Sequence, residues 1–142
     1  MKVTKLLAIL PVLAALTGCA TGAGSGAASA GADDQSGDLA ASLAGATFGR
    51  VPGPPVSCVE VAELRANRAL GPTLLLFEGA DGRLYANRTQ SCPALRQGHQ
   101  VRLKTVTARL CRGNSVAIVT DRGAAVAGNC TIGDFLTYTP RG

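Results

Sequence analysis

The sequence has no tryptophan, one histidine, and five phenylalanine and tyrosine residues among its 142. One imidazole, His99, limits histidine-based catalysis or metal binding to its own neighbourhood. No CxxC pair, GxSxG elbow or GxGxxG loop occurs. Their absence argues against thioredoxin-type redox chemistry, an α/β-hydrolase nucleophile and a dinucleotide cradle. No aromatic residues interleave with the arginines, as a single-stranded nucleic-acid surface would require. The longest apolar run covers residues 6–16 and is broken only by Pro11. As a helix it would span about 16 Å, roughly half a bilayer core. The length fits one small domain with appendages, which excludes a multidomain enzyme or a channel of several membrane helices.

The apolar run begins after Lys2 and Lys5 and ends in Leu16-Thr17-Gly18-Cys19. A basic start and an apolar stretch of this length read as a signal peptide over 1–18. The four residues at its end resemble the lipobox of bacterial lipoproteins. That resemblance implies cleavage before Cys19, a diacylglycerol on its sulfur and an acyl chain on its amine. Several acyl chains anchor a protein stably without spanning the membrane. By the same resemblance Ala20, standing where Asp favours inner-membrane retention, implies the outer membrane, with the chain facing the periplasm.

Residues 20–49 contain 21 Ala, Gly or Ser, and their only bulky apolar side chains are Leu39, Leu43 and Phe48. Such a segment buries too little surface to offset its ordering entropy. The lipidated Cys19 and a flexible tether are therefore expected over 19–55, with a marginal helix over 38–46 and an extended stretch at Pro52, Pro54 and Pro55. A globular domain is expected over 56–139. Within 50–142 there are 12 basic residues, eleven of them arginine, and six acidic ones.

Cys58, Cys92, Cys111 and Cys130 lie in this domain, separated by 33, 18 and 18 residues. An even number in an exported chain reads as two disulfides. A four-thiolate metal site would place its ligands in close pairs, and none is present. Four cysteines permit three connectivities. Proximity in sequence favours Cys92 with Cys111, leaving Cys58 with Cys130 to join the domain ends. No cofactor and no metal is expected.

The pattern is mainly β. Ser57 and Glu60 fit a capping box and predict a short N-terminal helical turn reaching about residue 64, though Val59 and Val61 would also suit a strand. Strands are expected over 73–78 and 83–87, joined by a tight turn at Asp81-Gly82. Alternation over 101–104 predicts a half-buried strand. Further strands are expected over 115–120, 124–127 and 134–139, with Arg112-Gly113-Asn114 as a turn. Short strands at this spacing predict a small antiparallel sheet or partly open barrel.

Taken in order, Cys58-Val59, Leu74-Leu75-Leu76-Phe77-Glu78, Gly82-Arg83-Leu84-Tyr85-Ala86-Asn87, Ser91-Cys92-Pro93-Ala94-Leu95, Leu110-Cys111-Arg112-Gly113-Asn114 and Cys130-Thr131-Ile132-Gly133-Asp134-Phe135 cover nearly all of 56–138. This series resembles a family of small bacterial envelope lipoproteins catalogued as a domain of unknown function. The resemblance implies an envelope location and this cysteine pattern, and it carries no activity.

Candidate chemistry is sparse. For a hydrolytic triad His99 is the only imidazole, with Ser91 and Asp81 or Asp121 as conceivable partners, and it sits in a polar stretch that reads as a loop. Glu60 and Glu63 are a weak pair of carboxylates for glycoside cleavage. The more prominent feature is arginine. Arg65 and Arg68, and Arg109 and Arg112, form two close pairs. Guanidinium groups near a membrane suit anionic headgroups, lipopolysaccharide phosphates or acidic wall polymers. The expected function is a non-enzymatic binding or structural module of the envelope, partnered by the membrane through its lipid and by an envelope protein or anionic polymer, and not by nucleic acid. The alternatives are a small envelope hydrolase and an inhibitor of wall-degrading enzymes.

Overall fold

The computed structural model describes residues 30–103, 108–120 and 125–142. Cys19, the leader, Lys104, Asp121 and residue 124 lie outside them. The described chain is mainly β, with one α-helix, ten strands in antiparallel sheets and no closed barrel. A five-stranded sheet has the order β1-β10-β5-β4-β3, built from β1 (Arg50–Pro52), β3 (Leu64–Ala69), β4 (Leu74–Gly79), β5 (Leu84–Arg88) and β10 (Phe135–Pro140). Strands β2 (Cys58–Glu60) and β7 (Arg109–Cys111) pair with each other. Strands β6 (Gln100–Val101), β8 (Ser115–Val119) and β9 (Val126–Thr131) form a third sheet.

Alternation along the strands divides the five-stranded sheet into two faces. On one face Leu75, Phe77, Tyr85 and Phe135 join Val59, Leu110, Val116, Ile118 and Ile132 from the smaller sheets in the main core. Phe77 and Phe135 meet edge to face, with ring centroids 5.7 Å apart. The other face presents Leu74, Leu76, Leu84 and Ala86, packed by Leu39, Leu43 and Ala46 of helix α1 (Ala30–Ala46). Leu39, Leu43 and Ala46 recur at intervals of four and three, which sets one apolar stripe along the helix. Leu39 seats over Gly71, where any added Cβ would fall 2.3 Å from its Cδ2. Helix α1 and strand β1 both lie inside the stretch read as tether, so ordered structure begins well before residue 56.

The β4–β5 turn forms where Asp81-Gly82 predicts it. Gly82 adopts φ 78°, and the Asp81 carboxylate accepts the Arg83 amide at 2.9 Å. The capping box at Ser57 and Glu60 does not form. Residues 58–60 are strand, the helical turn shrinks to a 3-10 turn at Val61–Glu63, and Glu60 makes no capping bond. Pairing with β7 takes the backbone groups that a helix start would have used, and the Glu60 carboxylate instead meets Arg109 at 2.8 Å.

The disulfides are Cys58–Cys111 and Cys92–Cys130, which corrects the expected pairing of Cys92 with Cys111 and Cys58 with Cys130. Sheet register decides this. Cys58 and Cys111 are direct cross-strand partners in β2 and β7. The bridge between Ser91 and Thr131 sets Cys92 beside Cys130. The two loops interleave, with separations of 53 and 38 residues. On the chain-entropy model each closure is worth about 4 kcal/mol, a large share of a small domain's stability.

Two asparagines join the sheets. The Asn67 side chain accepts the Val101 amide at 2.6 Å and donates to the Val101 carbonyl at 3.2 Å, so a side-chain amide replaces a peptide group between β3 and β6. Asn87 is fully buried; it accepts the Gly133 amide at 3.0 Å and donates to the Gly133 carbonyl at 2.7 Å. A Cβ at Gly133 would fall 2.1 Å from the Arg88 carbonyl oxygen, so the close approach requires glycine.

Candidate functional site

The four candidate arginines separate into two kinds. Arg109 lies on β7 and pairs with Glu60, and Arg112 follows in the next turn and meets Asp134 at 3.1 Å. These pairs are exposed on both sides, so they neutralise charge locally and add little stability. Asn114 holds the turn that carries Arg112: its side chain accepts the Cys111 amide at 2.7 Å, and Gly113 takes φ 86°.

Arg65 and Arg68 lie on β3, both exposed, and neither has an ion-pair partner among the described residues. Register between β3 and β4 shifts between Leu64 and Ala66, which leaves Arg65 as the extra residue of a bulge. Bulges bend the strand and re-aim its side chains. Arg68 pairs with Leu76 and borders a hollow of about 200 Å³ shared with Ala66, Glu78 and Gln100. The Glu78 carboxylate makes that hollow mixed in charge rather than uniformly basic.

A larger cleft of about 700 Å³ runs between α1 and the loops after β3 and β5. Asp38, Ser42 and Arg96 line it together with the apolar Leu39, Leu70 and Pro72. The Arg96 guanidinium also holds its own loop, donating to the Pro93 and Leu95 carbonyls at 2.9 and 2.8 Å.

Among the described residues, no hydrogen bond joins the candidate catalytic side chains to one another. His99 is half-buried, with Nδ1 3.1 Å from the Ala94 carbonyl oxygen, which makes Nδ1 the donor. Among the described residues no hydrogen bond joins His99 to Ser91 or to a carboxylate. Asp81 is engaged in the β4–β5 turn with Arg83, whose guanidinium the Tyr85 hydroxyl and then Asp81 hold above its ordinary pKa. Glu60 and Glu63 flank a 3-10 turn, with Glu60 paired to Arg109. No cluster of three or more His, Cys, Asp or Glu side chains converges among the described residues. No described helix is long and apolar enough to cross a membrane.

No family model matches the chain, and no curated protein or solved structure is significantly similar to it. The expectation of an envelope lipoprotein family rests on the ordered sequence motifs alone. Several of those motifs have structural roles here. Cys58, Cys92, Cys111 and Cys130 close the disulfides, Asn87 clamps Gly133, and Asn114 fastens the turn before β8.

Proposed function

We propose that this protein is a lipid-anchored module of the bacterial envelope that binds an anionic envelope component rather than catalysing a reaction. The observation that carries the reading is Leu16-Thr17-Gly18-Cys19 closing a basic and apolar leader of signal-peptide length. Two interleaved disulfides support it, since such bonds persist in oxidising compartments outside the cytosol. Arg65 and Arg68 support the anionic partner: both are exposed and have no carboxylate partner among the described residues, whereas Arg109 and Arg112 are paired. Guanidinium groups bind phosphate and carboxylate bidentately.

The test is recovery of the full-length protein from intact, crosslinked cells, with mass spectrometry of its N-terminal peptide and of what accompanies it. The expected N-terminal peptide begins at acylated Cys19, and Cys19→Ser abolishes the acylation. Arg65→Glu with Arg68→Glu should release the accompanying component, while Arg109→Ala with Arg112→Ala should retain it. An unacylated Cys19, or a component indifferent to the β3 arginines, contradicts the reading.

A further inference from the structure

Phe48 is 89% exposed, yet the turn that carries it is tightly built. Thr47 donates through its amide and its hydroxyl to the Leu43 carbonyl, the Phe48 amide donates to Gly45, and the Arg50 amide donates to Thr47. Gly49 supplies the left-handed conformation that ends the helix, at φ 74°. The aromatic ring is therefore held out into solvent by an ordered turn between α1 and β1. Val51, three residues on, is 46% exposed.

The surroundings of Phe48 are cationic. Arg50 pairs with Pro140, the residue directly before Arg141. The Arg50 guanidinium donates to the Gly82 carbonyl, which fixes its position without neutralising it. Asp81 in the adjoining β4–β5 turn is paired with Arg83. Glu63 shares a hollow with Asp81 and Arg83 beside this turn, so Arg50, Arg83 and Arg141 there stand against two acids, while Glu78 lies on β4. Three strand spacings, about 14 Å, separate β4 and its Glu78 from β1. This exceeds the screening length of about 8 Å at physiological salt.

An added strand does not suit this edge. The Gly53 amide donates to Thr137, a register that turns the Val51 amide inward as well. Of the outward positions, the Arg50 amide is bonded to Thr47, and Pro52 has none. An aromatic ring beside two arginines, with no amide free for a partner strand, matches a lipid interface. There an apolar side chain enters the acyl boundary and cations meet headgroup phosphates.

We propose that Phe48, Val51, Arg50 and Arg141 dock the domain onto the anionic phospholipid surface of the membrane that holds its anchor. The proposal rests on lipidation of Cys19. Chain length permits it. The eleven residue steps from Cys19 to Ala30 reach at most about 36–40 Å, and α1 spans about 25 Å, so the Phe48 end can return to the anchoring surface.

The protein contains no tryptophan, so Phe48→Trp creates a single reporter at the tip. Gln90→Trp, at the opposite end of the sheet beyond β5, is the control. Each full-length lipoprotein is reconstituted into vesicles of phosphatidylethanolamine and phosphatidylglycerol, with and without brominated acyl chains. The expected result is co-flotation of both, with blue-shifted emission and about a twofold loss of intensity in brominated vesicles for Phe48→Trp alone, as for a side chain seated at the acyl boundary. Arg141→Glu should weaken that quenching. Co-flotation with Phe48→Trp quenched no more than Gln90→Trp overturns this proposal and leaves the anchor standing. A blue shift without bromine quenching means that protein covers the tip, and it also overturns the proposal. Failure to co-float overturns the anchor and the docking together.

Discussion

The two faces of the five-stranded sheet are packed by different means. One meets strands that two disulfides and two asparagine clamps hold in place, and its large side chains are wholly buried: Phe77, Leu75 and Phe135 each have no exposed surface. The other is covered by α1, whose contribution is Leu39, Leu43 and Ala46, all only partly buried. The helix contains Gly31, Gly37 and Gly45, and each interior glycine costs about 1 kcal/mol relative to alanine. Its persistence therefore depends on a short apolar stripe. The body nearest the disulfides is over-determined, while the layer formed by α1 is marginal. Local opening should begin at the marginal layer.

The largest effect is expected in the first face. Phe77→Ala removes a buried ring packed on Phe135 and should cost about 3–5 kcal/mol, read by urea unfolding of the oxidised protein. Next, Cys58→Ser with Cys111→Ser opens the 53-residue loop and should cost about 2–4 kcal/mol in the same assay. A loss no larger than that of a surface substitution would mean that the cross-strand bond adds nothing. Third, Asn87→Ala orphans the buried amide and carbonyl of Gly133, with an expected cost of about 1–3 kcal/mol. On the second face, Leu43→Ala trims a half-buried contact and should cost about 1 kcal/mol. It should raise amide exchange in α1 and leave β8 unaffected, and a loss as large as that from Phe77→Ala would erase the contrast. Smallest of all, Arg109→Ala breaks an exposed pair and should shift stability by less than about 0.5 kcal/mol.

The β4–β5 hairpin was legible in the sequence because its signals are local: an apolar run, Asp81-Gly82, and a second run. The same holds for β8 and for β10, which formed within a residue or so of their expected bounds. Local signals failed where long-range pairing took over. Ser57 and Glu60 carry a helix-start pattern, but β7, some fifty residues later, draws 58–60 into a strand. The disulfides followed register rather than sequence proximity. Only a marginal helix over 38–46 was legible for α1, because alanine and glycine dominate the stretch, and its sparse Leu39–Leu43 stripe becomes meaningful only beside Leu74 and Leu76. At the candidate site, arginine count located the basic residues but not their partners. The Glu60 and Asp134 contacts separate Arg109 and Arg112 from Arg65 and Arg68, which pair with no carboxylate among the described residues. Phe48 was visible only as one of three bulky apolar residues in a small-residue stretch. Its exposure depends on the turn bonds at Thr47 and Gly49.

The α1 layer and the disulfide-braced body should therefore differ in stability. Hydrogen exchange of the full-length oxidised protein, resolved by peptide, tests this difference most directly. The account predicts that amides of α1 exchange through a local opening well before those of β4, β5 and β8, whose protection approaches the global limit. Equal protection of α1 and β4 would contradict it, because the helix would then open only when the whole domain unfolds.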